Sequence, residues 1–321
     1  MSDENWNAET KVPEIVEPTG LEGLTVNTPV KTYAPTISSS ALVVHLSISV
    51  PKLRKKDKRA TMEVIARKRA AKGMATVNKK LISSGVHEAI IQLEGQIRIY
   101  HRDETIPWGD LGARLLPNVK LLDYQAQMGV YDGEFVTLTK QFLEAYPSEV
   151  SRMQMKLGDL FNNADYPSVH KLERKFGLRV SFEPLPDSGD FRLDIGNQAQ
   201  QELKEQYEQV MKDRYASALN DIWKRLLEPL QNMSERLDYD DDGKPRKGHF
   251  KGTIVDNVIA IGDLMRDCNL DNDPTMDTVQ RDLRNALTGV TYDRLKGSDT
   301  LRRNTKAEVD RIIENLPSVW S

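Results

Sequence analysis

The sequence predicts a mainly α-helical (α+β) protein, built as a long antiparallel helical hairpin or bundle with a small antiparallel β element. Apolar residues recur at three- or four-residue steps through most of residues 197–238, and this period is that of a helix. Period-two alternation is confined to short segments at 42–50 and 178–195, as expected of a few strands.

Composition and periodicity divide the chain into three segments. Residues 1–40 hold six acids, two lysines and four prolines, a composition that predicts a flexible acidic arm. We expect 41–196 to form a mixed domain with a strand, basic helices, a helical region and a β-hairpin. Residues 197–321 are expected to form a helical domain with a long helical hairpin.

The mixed domain begins with alternating residues at 42–50, which predict a strand ending at Pro51. Thr61 is a potential cap for a helix reaching about Ala71, and a further helical stretch is expected over 74–82 after Gly73.

Three longer helical stretches are predicted next. They cover 86–104, 118–146 and 148–162, with Pro147 separating the last two. The residues Arg114–Pro117 are expected to lead into the second of them. Alternation at 178–182 and again at 191–195 predicts a hairpin, which we place beside the strand at 42–50.

The C-terminal segment begins with the longest periodic stretch. A helix over 197–238 would span about 60 Å and kink at Pro229. Its apolar stripe favours a coiled-coil-like pairing, and a second amphipathic helix at 250–268 is expected to fold back on it antiparallel. Shorter helices are expected at 275–287 and 305–315.

The second helix of this hairpin is too short to cover the first. The uncovered stripe contains Leu203, Tyr207 and Val210, which we predict to pack on the N-terminal helices or on another copy of the chain. Trp108 lies in a loop with Gly109 and Gly112. It is predicted to anchor either the core or a partner's pocket, so Trp108 and the three stripe residues are the candidate protein interface.

Charge is concentrated in one block. The net charge is −3, yet residues 52–80 contain twelve bases against Asp57 and Glu63. Such a block is typical of phosphate contact, so it forms a candidate nucleic-acid interface. A solvated face, or a complement to the acidic arm, would explain the same charges. No Phe, Trp or Tyr occurs in 51–86, which argues against base stacking. The twelve residues are Lys52, Arg54, Lys55, Lys56, Lys58, Arg59, Arg67, Lys68, Arg69, Lys72, Lys79 and Lys80.

Motif searches predict no catalytic, cofactor or metal site. The chain lacks both glycine-rich phosphate-binding patterns and the H-E-x-x-H zinc motif. Its single cysteine, Cys268, excludes an internal disulfide. Residues 238–243 resemble the start of an EF-hand loop, but His249 replaces the closing glutamate. We therefore expect a protein that is not an enzyme and needs no cofactor.

Hydropathy predicts a cytoplasmic protein. No apolar run reaches the roughly 18 residues of a spanning helix, and the first 20 residues lack the pattern of a signal peptide.

Eight short motifs occur in order along the chain. They are Ser47–Ser49, Lys55–Lys58, Asn78–Leu81, Ile106–Pro117, Leu157–Phe161, Asp165–Pro167, Pro184–Pro186 and Asp190–Arg192. Together they resemble a family of phage and prophage proteins of unknown function. The resemblance covers about residues 41–290 and is most specific around Trp108.

Members of that family are often encoded beside a MoxR-type AAA+ ATPase and a von Willebrand A-type protein. The resemblance implies a phage-encoded, non-enzymatic interaction or assembly protein in the cytoplasm of the bacterial host, with those two proteins as partners. It supplies no active-site residues. The alternative hypothesis is a nucleic-acid-binding protein that uses residues 52–80 and oligomerises through the long helices.

Overall fold

The computed structural model describes residues 37–109, 112–185, 197–239 and 253–317. Helices account for 69% of these residues, which confirms the mainly helical α+β class. Residues 1–36 of the predicted acidic arm lie outside the described residues. Residues 191–195, the second half of the predicted hairpin, also lie outside them. The division into three segments stays a prediction.

Ten helices and six strands occur in the described ranges, together with short 3-10 turns. The strands are β1 (Ala41–Ser49), β2 (Arg54–Asp57), β3 (Val77–Lys80), β4 (Ile106–Pro107), β5 (Arg114–Pro117) and β6 (Gly177–Pro184). The helices are α1 (Ile37–Ser40), α2 (Lys58–Lys68), α3 (Gly85–Asp103), α4 (Leu121–Leu157), α5 (Val169–Glu173), α6 (Asn197–Leu237), α7 (Thr253–Asp267), α8 (Pro274–Leu287), α9 (Tyr292–Gly297) and α10 (Asp299–Glu314).

The main sheet is antiparallel and has the strand order β4-β5-β1-β6. The sequence predicts that the segment at 178–182 lies beside the strand at 42–50, and this is confirmed. Strand β1 pairs with β6 from Leu42 opposite Pro184 to Ser49 opposite Gly177. The other edge of β1 pairs with β5. A separate two-stranded ribbon consists of β2 and β3.

Strand β1 lies between two hydrophobic cores. Val43 belongs to the core built mainly from α6, α7, α8 and α10, whereas Val44 belongs to the core built mainly from α3 and α4. Leu115 and Leu116 of β5 divide in the same way. Successive side chains of a strand point to opposite faces, so the sheet is the middle layer between two helical layers.

The long helical hairpin predicted at the C-terminal end is present. The Tyr215 hydroxyl, in the middle of α6, donates to the backbone carbonyl of Cys268 just after α7, and the two helices share one hydrophobic core. No helix in the described part of the chain is both long and apolar enough to cross a membrane.

Helix α4 corrects the prediction of a break at Pro147. It continues from Leu121 to Leu157 with Pro147 inside. Phe142, Tyr146, Glu149 and Met153 are buried on both sides of the proline. Packing of this face offsets the helix bond that the proline removes.

One short strand replaces a predicted helical segment, since residues 77–80 form β3 rather than the end of a helix. Arg114–Pro117 lead into the next helix as predicted, and they do so as strand β5. Helix α2 also begins earlier than predicted, because Asp57, and not Thr61, accepts the capping bond from the Ala60 amide.

Candidate nucleic-acid interface

Residues 52–80, which we call the basic module, fold as the ribbon β2–β3 with helix α2 between its strands. The Asp57 carboxylate accepts a bond of 2.9 Å from the Ala60 amide and so caps α2. Arg69 ends the helix in the left-handed conformation at φ 51°. The Thr61 hydroxyl accepts a bond of 3.0 Å from the Val77 amide, which attaches α2 to β3.

The ribbon has two faces with different charge environments. Its register places Arg54 opposite Lys80, Lys55 opposite Lys79 and Lys56 opposite Asn78. Directly opposed residues of an antiparallel pair share a face, and neighbours along a strand alternate. Lys55 and Lys79 therefore lie on one face, and Arg54, Lys56 and Lys80 lie on the other.

The inner face is neutralised by acids. The Lys79 ammonium is 2.7 Å from the Asp165 carboxylate and 3.2 Å from that of Asp57, and it donates to the Leu160 carbonyl at 2.6 Å. The Lys55 ammonium lies 2.6 Å from the other Asp165 oxygen. We call this group, Lys55, Lys79, Asp57 and Asp165, the inner clamp.

Burial and pairing act in opposite directions on the pKa values of the clamp. Burial favours the neutral forms, but the bonds to Asp165 and Asp57 outweigh it and raise the pKa of Lys79. Burial would likewise raise the pKa of Asp165, yet its bonds to Lys55 and Lys79 lower that pKa. Both groups are thus held in their charged forms, and the clamp fixes the ribbon to the turn at 160–165.

The outward cations lack this compensation. Two pair with exposed acids: Lys80 with Glu88 at 2.8 Å and Arg59 with Glu63 at 3.3 Å. Eight further cations are exposed and have no ion-pair partner in the described part of the chain. These eight, which we call the outer cations, are Lys52, Arg54, Lys56, Lys58, Arg67, Lys68, Arg69 and Lys72.

The structure thus separates the twelve predicted bases into different groups. Eleven are exposed, but Lys79 is only 7% exposed. We remove Lys79 from the candidate interface, because its ammonium group already pairs with Asp57 and Asp165 and donates to the Leu160 carbonyl. Lys55 remains half exposed but already pairs with Asp165.

The four residues of the candidate protein interface do not form one surface. Trp108 is 4% exposed and lies in the core formed with α6, where it cannot contact a partner. Gly109 and Gly112 beside it adopt φ of +85° and +78°, the conformation that favours glycine in this turn. Leu203 and Tyr207 are half-buried and Val210 is exposed, and none of these three belongs to either core.

Asp165 is a member of the clamp that sequence reasoning does not find. It lies 110 residues from Lys55, and no local pattern marks it as the counter-charge of the ribbon. The residues next to it, Tyr166 and Pro167, carry no charge that would indicate an ion pair.

The single cysteine of the chain is buried. Burial raises the pKa of Cys268 to about 12, so its thiol is protonated at neutral pH. No group of three or more His, Cys, Asp or Glu side chains that could hold a metal occurs within the described ranges. The basic module carries eight exposed cations without an ion-pair partner among the described residues, which makes it the candidate functional site.

Comparison with known proteins adds no family to this description. No protein-family model matches the chain, and no curated protein or solved structure matches it.

Proposed function

We propose that this protein binds nucleic acid through the outer cations of the basic module. One observation carries the proposal: the inner face of the ribbon is neutralised by Asp57 and Asp165, whereas the outer cations have no counter-charge among the described residues. Arg54 and Lys80 also lie directly opposite each other on the outward face of the ribbon, and like charges placed in this way are unfavourable. Phosphates from a ligand would remove this repulsion and release their own condensed counterions.

The test is a salt-dependent binding measurement. Fluorescence anisotropy with a labelled DNA duplex of about 20 base pairs, between about 0.05 and about 0.5 M salt, should give a linear fall of log affinity with log salt. The variant with Arg54→Gln, Lys56→Gln and Arg67→Gln should bind more weakly. Its slope should be shallower by about 0.9 for each phosphate that the variant no longer neutralises.

A matched variant controls for total charge. Lys212, Arg281 and Arg303 are exposed and lie outside the module, so their replacement by Gln changes the net charge equally. This variant should bind as the wild type does. Equal weakening by both variants would show non-specific attraction, and no binding at low salt would refute the proposal.

A second candidate function is the interaction or assembly role. It is favoured by the first part of α6, where residues 201–210 contain no buried side chain although Leu203, Tyr207 and Val210 continue the apolar stripe. Such a stripe is typical of a surface covered by a partner or a second copy.

Light scattering tests self-association through this segment. If copies associate there, Leu203→Asp with Val210→Asp should reduce the particle mass to that of a folded monomer. Loss of helicity at constant mass would instead show that the stripe packs within one chain. The MoxR-type AAA+ ATPase and the von Willebrand A-type protein remain proposed partners on the resemblance alone. Comigration with the purified chain in size-exclusion chromatography would test each of them.

A further inference from the structure

We infer that the nucleic acid bound by the basic module is a duplex, held by its phosphate backbone rather than through its bases. This inference rests on the proposed function and adds the class of ligand. It follows from which side chains the module presents, and from which it lacks.

The module offers nothing on which an unpaired base could stack. Residues 51–86 contain no aromatic side chain, and single strands are usually held by aromatic rings beneath their bases. Two aromatic residues follow Leu160, whose carbonyl accepts the Lys79 bond. These rings, Phe161 and Tyr166, stack on each other with centroids 5.1 Å apart and are half-buried.

The outer cations suit a rigid, dense array of phosphates. They are held mainly on two regular elements, the ribbon and α2, and the inner clamp fixes the ribbon from behind. Duplex DNA carries one charge per about 1.7 Å of axis, and each phosphate neutralised on it releases more counterions than one on a single strand. A helix or a two-stranded ribbon also fits the major groove of B-DNA, which is about 12 Å wide.

The expected preference can be estimated from counterion release. The salt slope is about 0.9 per phosphate for a duplex and about 0.7 for a single strand. If five of the outer cations contact phosphates, the duplex gains about one decade of affinity over the single strand at about 0.1 M salt, relative to about 1 M.

The exposed methionines of the module point to a different class of anionic surface. Met62 is 66% exposed and Met74 is 77% exposed, and apolar side chains beside cations also suit an anionic membrane. We favour the duplex because a helix that lies on a membrane needs a continuous apolar face. The exposed apolar side chains of α2, Met62 and Val64, lie about 160° apart around the helix, and Met74 lies beyond its end.

The experiment measures the full chain against four probes at matched salt. They are a DNA duplex of about 20 base pairs, one of its strands alone, an RNA duplex of the same length, and vesicles of phosphatidylserine with phosphatidylcholine. We expect the DNA duplex to bind about tenfold more tightly than the single strand, with the steeper salt slope. The DNA and RNA duplexes differ in groove shape, so comparing their affinities shows whether the module prefers DNA or RNA.

Two variants keep the result interpretable. Phe161→Leu removes a ring while retaining bulk and should leave binding to every probe unchanged. The variant with Arg54→Gln, Lys56→Gln and Arg67→Gln should weaken binding to both duplexes.

The inference is overturned by single-strand affinity equal to or above that of the duplex, by loss of binding in Phe161→Leu, or by tighter binding to vesicles than to either duplex. Absence of binding to every probe would refute the proposed function itself.

Discussion

Protonation of buried His101 should destabilise the protein at mildly acidic pH. His101 is 6% exposed, and its Nδ1 lies 2.7 Å from the Tyr124 hydroxyl oxygen. Burial, followed by the nearby charges of Arg114 and Arg98, lowers its pKa from 6.5 to about 4. The native state therefore keeps the imidazole neutral at a pH where the unfolded chain already binds the proton.

The magnitude follows from that difference in pKa. Stability contributed by the neutral ring is complete above about pH 6.5 and is lost as the pH falls from there to about 4. Between about pH 7.5 and about pH 4.5 the loss from this one group is about 2 to 3 kcal/mol. Burial also lowers the pKa of His87, so its contribution has the same sign and must be separated by mutation.

Urea unfolding of wild type and His101→Gln across this pH range isolates the effect. The Gln variant cannot take up the proton, so its stability should depend less steeply on pH, by up to about 1.4 kcal/mol per unit. His170→Gln is the control, because the His170 side chain is 79% exposed, and it should follow the wild type. Identical pH dependence of wild type and His101→Gln would refute the reasoning.

Three further outcomes are expected. Trp108→Ala should lower the free energy of unfolding in urea by about 3 to 5 kcal/mol, because the ring is buried in the core; an unchanged transition would contradict this. Lys79→Met should destabilise the protein clearly more than Lys56→Met, because it leaves Asp165 without its buried partner; equal effects would argue against the inner clamp. Removal of residues 1–34 should leave the melting temperature unchanged, because residues 35–321 form a compact unit of their own; a marked fall would show that the arm supports the fold.

The sequence predicts whether an element is a helix or a strand wherever the element is long enough for its apolar residues to show a regular period. Helix α6 is 41 residues long and carries its apolar stripe from Leu203 to Leu237, and β1 alternates over nine residues. The four-residue strands β3 and β5 are too short to show a period. Strand β3 forms by pairing with β2, from which helix α2 separates it. Strand β5 forms by pairing with β1, which is distant in sequence.

The charge block was equally clear from sequence, because composition needs no fold. Twelve bases in residues 52–80 predict an anion-binding surface, and the chain alone determined that much. The tertiary structure decided which of them are available. It brings Asp165 to within 2.7 Å of Lys79 across a long stretch of chain and leaves the outer cations facing outward. Linear spacing carries no information about such a contact, since an ion pair depends on distance in space and on burial rather than on position in the chain.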